Sequence, residues 1–174
     1  MSFEGSIAVL NTAIEKLENL RRNALANLPV VRAAAFNILA DVASGTRRVL
    51  ELARTIEVAS GQVGTGVRKV CGNWILSKEG DRVVLMKLKP FRAVMYDAKG
   101  SEVAIANDEV KISISASSIR IKFRGRDITI DPLSIESINS KVQEIKSIGR
   151  YMLLLIDELT TTLNVCRKSL PLTT

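Results

Sequence analysis

Residues 131–168, DPLSIESINSKVQEIKSIGRYMLLLIDELTTTLNVCRK, decide how the rest of this chain must be arranged. Apolar residues recur at Ile135, Ile138, Val142, Ile145, Met152, Ile156, Leu159, Leu163 and Cys166, and Gly149 fills the one gap in the series. Steps alternating between three and four residues place every member on one stripe of a helix, the seam of a heptad repeat. Asp131 reads as the N-cap, with Pro132 at the first helical position, where a missing N–H costs nothing. Arg167 and Lys168 suit the negative end of the helix dipole, and Pro171 stops continuation. A single helix of this length runs about 50 Å, roughly twice the width of a small domain. It outruns any sheet it covers, so a second helix must lie along it, from this chain or from another copy.

The first sixty residues supply candidates. Ser2 is placed to cap a first helix, in which Ile7, Leu10, Ile14 and Leu17 repeat the same three–four stepping. Asn27 and Pro29 open a second helix that is apolar over a wide arc from Val30 to Val42, as expected of one buried on several sides. Ser44-Gly45-Thr46 either ends it or is crossed by one long helix, and Val49, Leu52, Ala53 and Ile56 continue the pattern to Ala59.

The period then changes from 3.6 to 2. Gly61, Gly64 and Gly66 read as a hinge, followed by short β-rich runs near 68–77, 82–88, 91–97, 101–106, 109–116, 118–124 and 126–131. Turn signals separate the runs, at Glu79-Gly80, Lys89-Pro90, Ala98-Lys99-Gly100, Asn107-Asp108, Ser117-Ser118 and Arg124-Gly125. Connections this tight require an antiparallel meander, and about seven strands normally curl into a sandwich or small barrel. Val83 to Met86 is continuously apolar, the mark of a strand covered on both faces. Seven meandering strands followed by one helix is similar in topology to pleckstrin-homology-like domains, although no residue motif supports membership.

The expected fold is therefore α+β. Residues 1–60 form an N-terminal helical segment and 67–131 an antiparallel β module of about seven strands, either a sheet or a small barrel. Residues 132–168 form a long helix packing with 1–60 as a bundle or coiled coil, and 169–174 a tail.

Composition bounds the function. The 174 residues carry a net charge of +7 and no histidine. Without histidine the commonest general base and metal ligand are gone, and with them the Ser–His and Cys–His nucleophile pairs. No catalytic, cofactor-binding or metal-ligating set and no small-molecule substrate is evident, so the chain reads as non-enzymatic. Asp97, Asp108, Glu109, Asp127 and Asp131 fall at turns and a cap, where such residues bond locally. No apolar run spans a membrane and no secretory signal opens the sequence, which implies a cytoplasmic protein. Cys71 and Cys166 read as reduced residues in different elements, a disulfide being the alternative. Scarce glutamine beside plentiful Ile, Val and Arg leans toward a hot-environment source.

Charge is uneven. Residues 61–132 carry thirteen Lys/Arg against eight Asp/Glu, so the excess sits in the strands. Lys111, Arg120, Lys122, Arg124 and Arg126 alternate with apolar residues and are expected to share a solvated sheet face, with Lys87, Lys89 and Arg92 as further members. Such a face fits successive phosphates of a nucleic acid, or it is an ordinary solvated face resisting edge pairing. Interleaved aromatics for base stacking are missing, since Phe123 belongs to the apolar side. Gly61–Lys69 lacks the strand-before, helix-after context of a phosphate loop. Trp74 reads as core or interface rather than a ligand platform.

Two functions follow. The first is an assembly or scaffold protein that self-associates, or meets a helical partner, through the seam formed by Ile7, Leu10, Ile14, Leu17, Ile135, Ile138, Val142, Ile145, Met152, Ile156, Leu159 and Leu163. The second is backbone binding of nucleic acid or another polyanion by the basic sheet face.

Overall fold

Where the apolar period falls to two, the backbone pairs into one sheet. A computed structural model of the protein describes residues 3–24, 30–61, 65–97, 102–132 and 134–170. The strands are β1 (Gly66–Cys71), β2 (Trp74–Glu79), β3 (Arg82–Leu88), β4 (Phe91–Asp97), β5 (Glu102–Asn107), β6 (Val110–Ser115), β7 (Ile119–Phe123) and β8 (Arg126–Ile130). They lie in sequence order, each antiparallel to the next, in an eight-stranded sheet that does not close into a barrel. One strand more is present than the sequence suggests, because the run at 68–77 turns back at Gly72-Asn73, with Gly72 at φ 50. A positive φ is where glycine has no steric cost, which makes Cys71-Gly72-Asn73 a turn signal the alternation concealed.

One face of the sheet is core. Leu76, Leu85, Val94, Ile105, Ile112, Ile121 and Ile128 lie in one cross-strand row and are all buried. The other face carries Val84, Met86, Ala93 and Met95, all half-exposed, so β3 is not enclosed on both sides as its apolar run implies.

The helices are α1 (Phe3–Ala24), α2 (Val30–Ala59), α3 (Ile135–Ser140) and α4 (Val142–Ser169). Two expectations about them need correction, and one alternative left open is resolved. The closing segment is not one rod, since it breaks at Lys141 (φ −116, ψ 12). Local polar competition accounts for this: Ser140 Oγ donates to the Ser137 carbonyl, and Ser137 Oγ takes the Asp131 amide. The N-cap is Ser134, whose Oγ accepts from the Ser137 amide, rather than Asp131 followed by Pro132. The open alternative resolves to one thirty-residue helix, α2, that runs straight through Gly45. Thr46 sits within it at no polar cost, because its buried hydroxyl donates to the Val42 carbonyl at 2.8 Å.

The long helix does have a helical neighbour. α4 lies along α2, and α1 packs on α2 and on β4–β6. Two glycines set the approach. A Cβ on Gly45 would stand 2.8 Å from Ile156 of α4, and one on Gly149 would stand 2.9 Å from Ile38 of α2. The gap in the apolar stripe at 149 is thus a notch that admits the neighbouring helix.

Between helices and sheet, Glu57 is almost wholly buried at the end of α2. Its carboxylate accepts from the Tyr96 hydroxyl on β4, and from Arg54 and Lys78 at 2.9 Å each. Burial alone would raise its pKa; the bonds from Tyr96, Lys78 and Arg54 outweigh that and hold it below the usual carboxylate range. Burial and the bond to Glu57 push the Tyr96 phenol upward.

Cys71 on β1 and Cys166 on α4 are bonded, with Cα atoms 5.5 Å apart. This corrects the expectation of reduced cysteines: the meander returns its edge strand to the last turns of α4, a juxtaposition that a separation of 95 residues does not disclose. No helix among the described residues is long and apolar enough to cross a membrane.

Candidate polyanion interface

The seam and the basic face are the two candidate sites, and the structure treats them differently. Leu10, Leu17, Ile138, Val142, Ile145, Met152, Ile156, Leu159 and Leu163 are buried within the single chain, with Ile7 and Ile14 half-buried against the same core. Ile135 opens α3, and its side chain lies outside the described residues, as do the expected caps Ser2 and Asn27, the Ala98–Gly100 turn and Pro171. Mid-helix, Leu155 is buried and Leu153 half-buried, while Leu154 is 48% exposed.

The basic residues divide between two faces. Lys111 pairs across the strands with Lys122, and Arg120 with Ser113, so these three cations project together from the helix-free side. They line a depression of about 110 Å³ with Ser113, Glu102 and Asp127. Like charges directly opposite one another destabilise a strand pair, and Asp127, the next residue across from Lys122, partly relieves this. Arg124 and Arg126 do not join them. The Arg124-Gly125 turn carries φ values of 47 and 83, and Arg126 emerges opposite Phe123 on the helix side. Lys87 and Arg92, facing each other on β3 and β4, stand strands away, and Arg92 is bound to Glu158 at 2.6 Å.

What gathers around Arg124 was not legible as a site. Its guanidinium lies 4.9 Å from the Phe123 ring centre and 5.2 Å from that of Tyr151. Tyr151 comes from α4, and its ring centre lies 4.9 Å from that of Phe123 with the planes tilted by 41°. Arg150 sits 5.1 Å from the Tyr151 ring and donates to its hydroxyl at 3.2 Å, and Arg126 is 6.0 Å from Phe123. Three exposed guanidinium groups therefore surround two aromatic rings. One carboxylate answers them among the described ion pairs, Glu109 to Arg124 at 3.2 Å. The bond from Arg150, then its charge and that of Arg124, lowers the Tyr151 phenol from its usual value.

Arg124 is also the one non-glycine among the described residues with a positive φ. In a two-residue hairpin turn with both central residues at positive φ, Asn, Asp or Gly normally stands there. An arginine in that conformation costs about 1–2 kcal/mol of backbone strain. A signal for the cluster did exist in the sequence: Arg124-Gly125 where Asn-Gly is expected, and an Arg150-Tyr151 pair one position off the apolar stripe.

Of the acidic residues, Asp97 ends β4, Asp108 and Glu109 stand in the β5–β6 turn, Asp127 lies within β8 and Asp131 follows it. Asn107 Oδ1 accepts from the Glu109 and Val110 amides, which shapes the β5–β6 turn around Asp108 and Glu109. No group of three or more potential metal ligands occurs among the described residues. Comparison with known proteins found no match to a family model, a characterised protein or a solved structure.

Proposed function

We propose that the protein is a non-enzymatic binder of nucleic-acid backbone, using the β7–β8 hairpin and the adjoining surface of α4. The observation that carries this reading is Arg124, held at φ 47 with its guanidinium over Phe123 and Tyr151 and with Arg126 and Arg150 beside it. Planar guanidinium groups meet phosphate oxygens in pairs, and the half-buried Tyr151 ring among them braces the Arg124 and Arg150 planes. Lys111, Arg120 and Lys122, around the edge of the same hairpin, extend the positive surface to the helix-free face.

Fluorescence anisotropy with labelled duplex and single-stranded oligonucleotides at two salt concentrations tests it. Binding should weaken steeply with salt, and the log–log slope should shrink by about one for each phosphate contact removed in Arg124→Ala, Arg150→Ala or Lys122→Ala. No binding at low salt, or slopes unchanged in all three variants, would end the proposal. Arg124→Gly is the sharpest variant. It relieves the turn strain, so it should hold or raise stability while lowering affinity.

Self-association through the helical seam is the second reading, with less support, since those side chains are covered within one chain. It requires a stable oligomer by light scattering, and a Met152→Glu variant that falls in mass rather than simply unfolding. The Cys71–Cys166 bond supports a setting in which disulfides persist, either an oxidising compartment or the cytosol of a hyperthermophile. The second fits the Ile-, Val- and Arg-rich composition.

A further inference from the structure

A cleft of about 440 Å³ opens at the other end of the sheet, between the Gly72-Asn73 turn and the last turns of α4. Its walls include the Cys71–Cys166 bridge, Trp74, Val165 and Thr161, and its one charged lining residue is Lys87. A neighbouring hollow of about 360 Å³ shares Lys87, Thr161 and Thr162 but is lined as well by Arg92, Asp157 and Glu158, so that end of the groove is charged and Lys87 stands at the junction with the apolar cleft. The volume is in the range that accepts a small molecule, and apolar walls with a few convergent polar groups are what such sites use.

Lys87 decides what chemistry fits. It lies directly across from Arg92, a like-charge pair, and Arg92 is neutralised by Glu158 at 2.6 Å. Lys87 is half-buried, and no carboxylate is bonded to it among the described ion pairs. A cation held part way out of water beside apolar walls favours an anion over a neutral or cationic guest. Val165, 65% exposed on the cleft wall, leaves apolar surface for the rest of that guest, and Trp74, 4% exposed, lines the cleft behind it.

We propose that this groove binds small monocarboxylic acids with an aliphatic or aromatic body, the carboxylate at Lys87 and the body along Trp74 and the Cys71–Cys166 bridge. This site lies away from the Arg124 cluster and does not depend on nucleic-acid binding.

Trp74 is the only tryptophan, so its emission reports on the cleft directly. Decanoate is titrated below its micelle-forming concentration, beside 1-decanol and decyltrimethylammonium as matched neutral and cationic probes. A saturable emission change is expected with decanoate, with affinity about tenfold better than for either comparison probe, the usual scale of one charge-assisted hydrogen bond. Lys87→Met should erase that preference while retaining the wild-type melting curve. Thr161→Phe, on the exposed wall, should block all three probes. No saturable change with decanoate, equal affinity for the three probes, or an unaltered preference in a folded Lys87→Met protein would each overturn the assignment.

Discussion

Gly45→Ala puts the close approach of α2 and α4 to a test of sign. In a helix interior, exchanging glycine for alanine normally stabilises by about 1 kcal/mol, because the glycine backbone loses more freedom on folding. Here the new methyl would stand 2.8 Å from both Cδ1 and Cγ2 of Ile156. Rotation of the isoleucine about its outer bond moves Cδ1 but leaves Cγ2 in place, and Ile156 is buried, so the helices must part instead. Overpacking of this kind costs about 1–3 kcal/mol, and the upper half of that range applies when one rotation cannot relieve it. Offset by the helix gain, the net expectation is a loss of about 1–2 kcal/mol, or about 2–8 °C in melting temperature for a domain of this size. Urea unfolding followed through Trp74 should show a lower midpoint at an unchanged slope. Gly149→Ala should be milder, within about 1 kcal/mol of wild type, because its nearest neighbour is the terminal Cδ1 of half-buried Ile38 at 2.9 Å. In an Ile156→Ala background both clashing atoms are gone, and Gly45→Ala should become neutral or stabilising. A Gly45→Ala protein more stable than wild type by about 1 kcal/mol would refute the helix contact and the role given to both glycines.

Three further outcomes follow from groups outside that contact. Breaking the Cys71–Cys166 bond, which closes 95 residues of chain, should cost up to about 4.7 kcal/mol in chain-entropy terms; equal melting with and without dithiothreitol would show that the bond adds nothing. Glu57 has a folded pKa below its unfolded value, so its contribution is complete above about pH 4.3 and is lost as pH falls through the folded value. Urea midpoints between about pH 7 and pH 3 should therefore fall more in wild type than in Glu57→Gln, and parallel curves would contradict the buried network. The two tyrosines should titrate apart in ultraviolet absorbance, Tyr151 below about pH 10 and Tyr96 well above it, and Arg150→Met should move the first step back upward.

Much of the architecture is a matter of local period, and local period is written in the chain. The stripe from Ile138 to Cys166 and the alternations at Val110–Ile114 and Ile119–Phe123 each place successive side chains on one face whatever lies beyond. Six of the eight strands, and the α+β order, follow from that alone, and one further run covers both β1 and β2. The exceptions are local rules overridden by neighbours: Gly72-Asn73 hidden inside an apolar run, and serines that close α3 before the apolar stripe is interrupted.

Which faces meet was decided only by the fold. Periodicity shows that α4 needs a helix beside it, but α1 and α2 both carry suitable stripes, and a notch at Gly45 facing Ile156 is a property of two surfaces together. Strand alternation puts Arg120, Lys122, Arg124 and Arg126 on one side only if the backbone stays extended. The positive φ at Arg124 and Gly125 reverses the chain and sends two of them to the helices, where Tyr151 and Arg150 arrive from residues further along. Neither cluster nor disulfide has a sequence period, because contacts between residues far apart depend on turn geometry and helix crossing rather than on spacing.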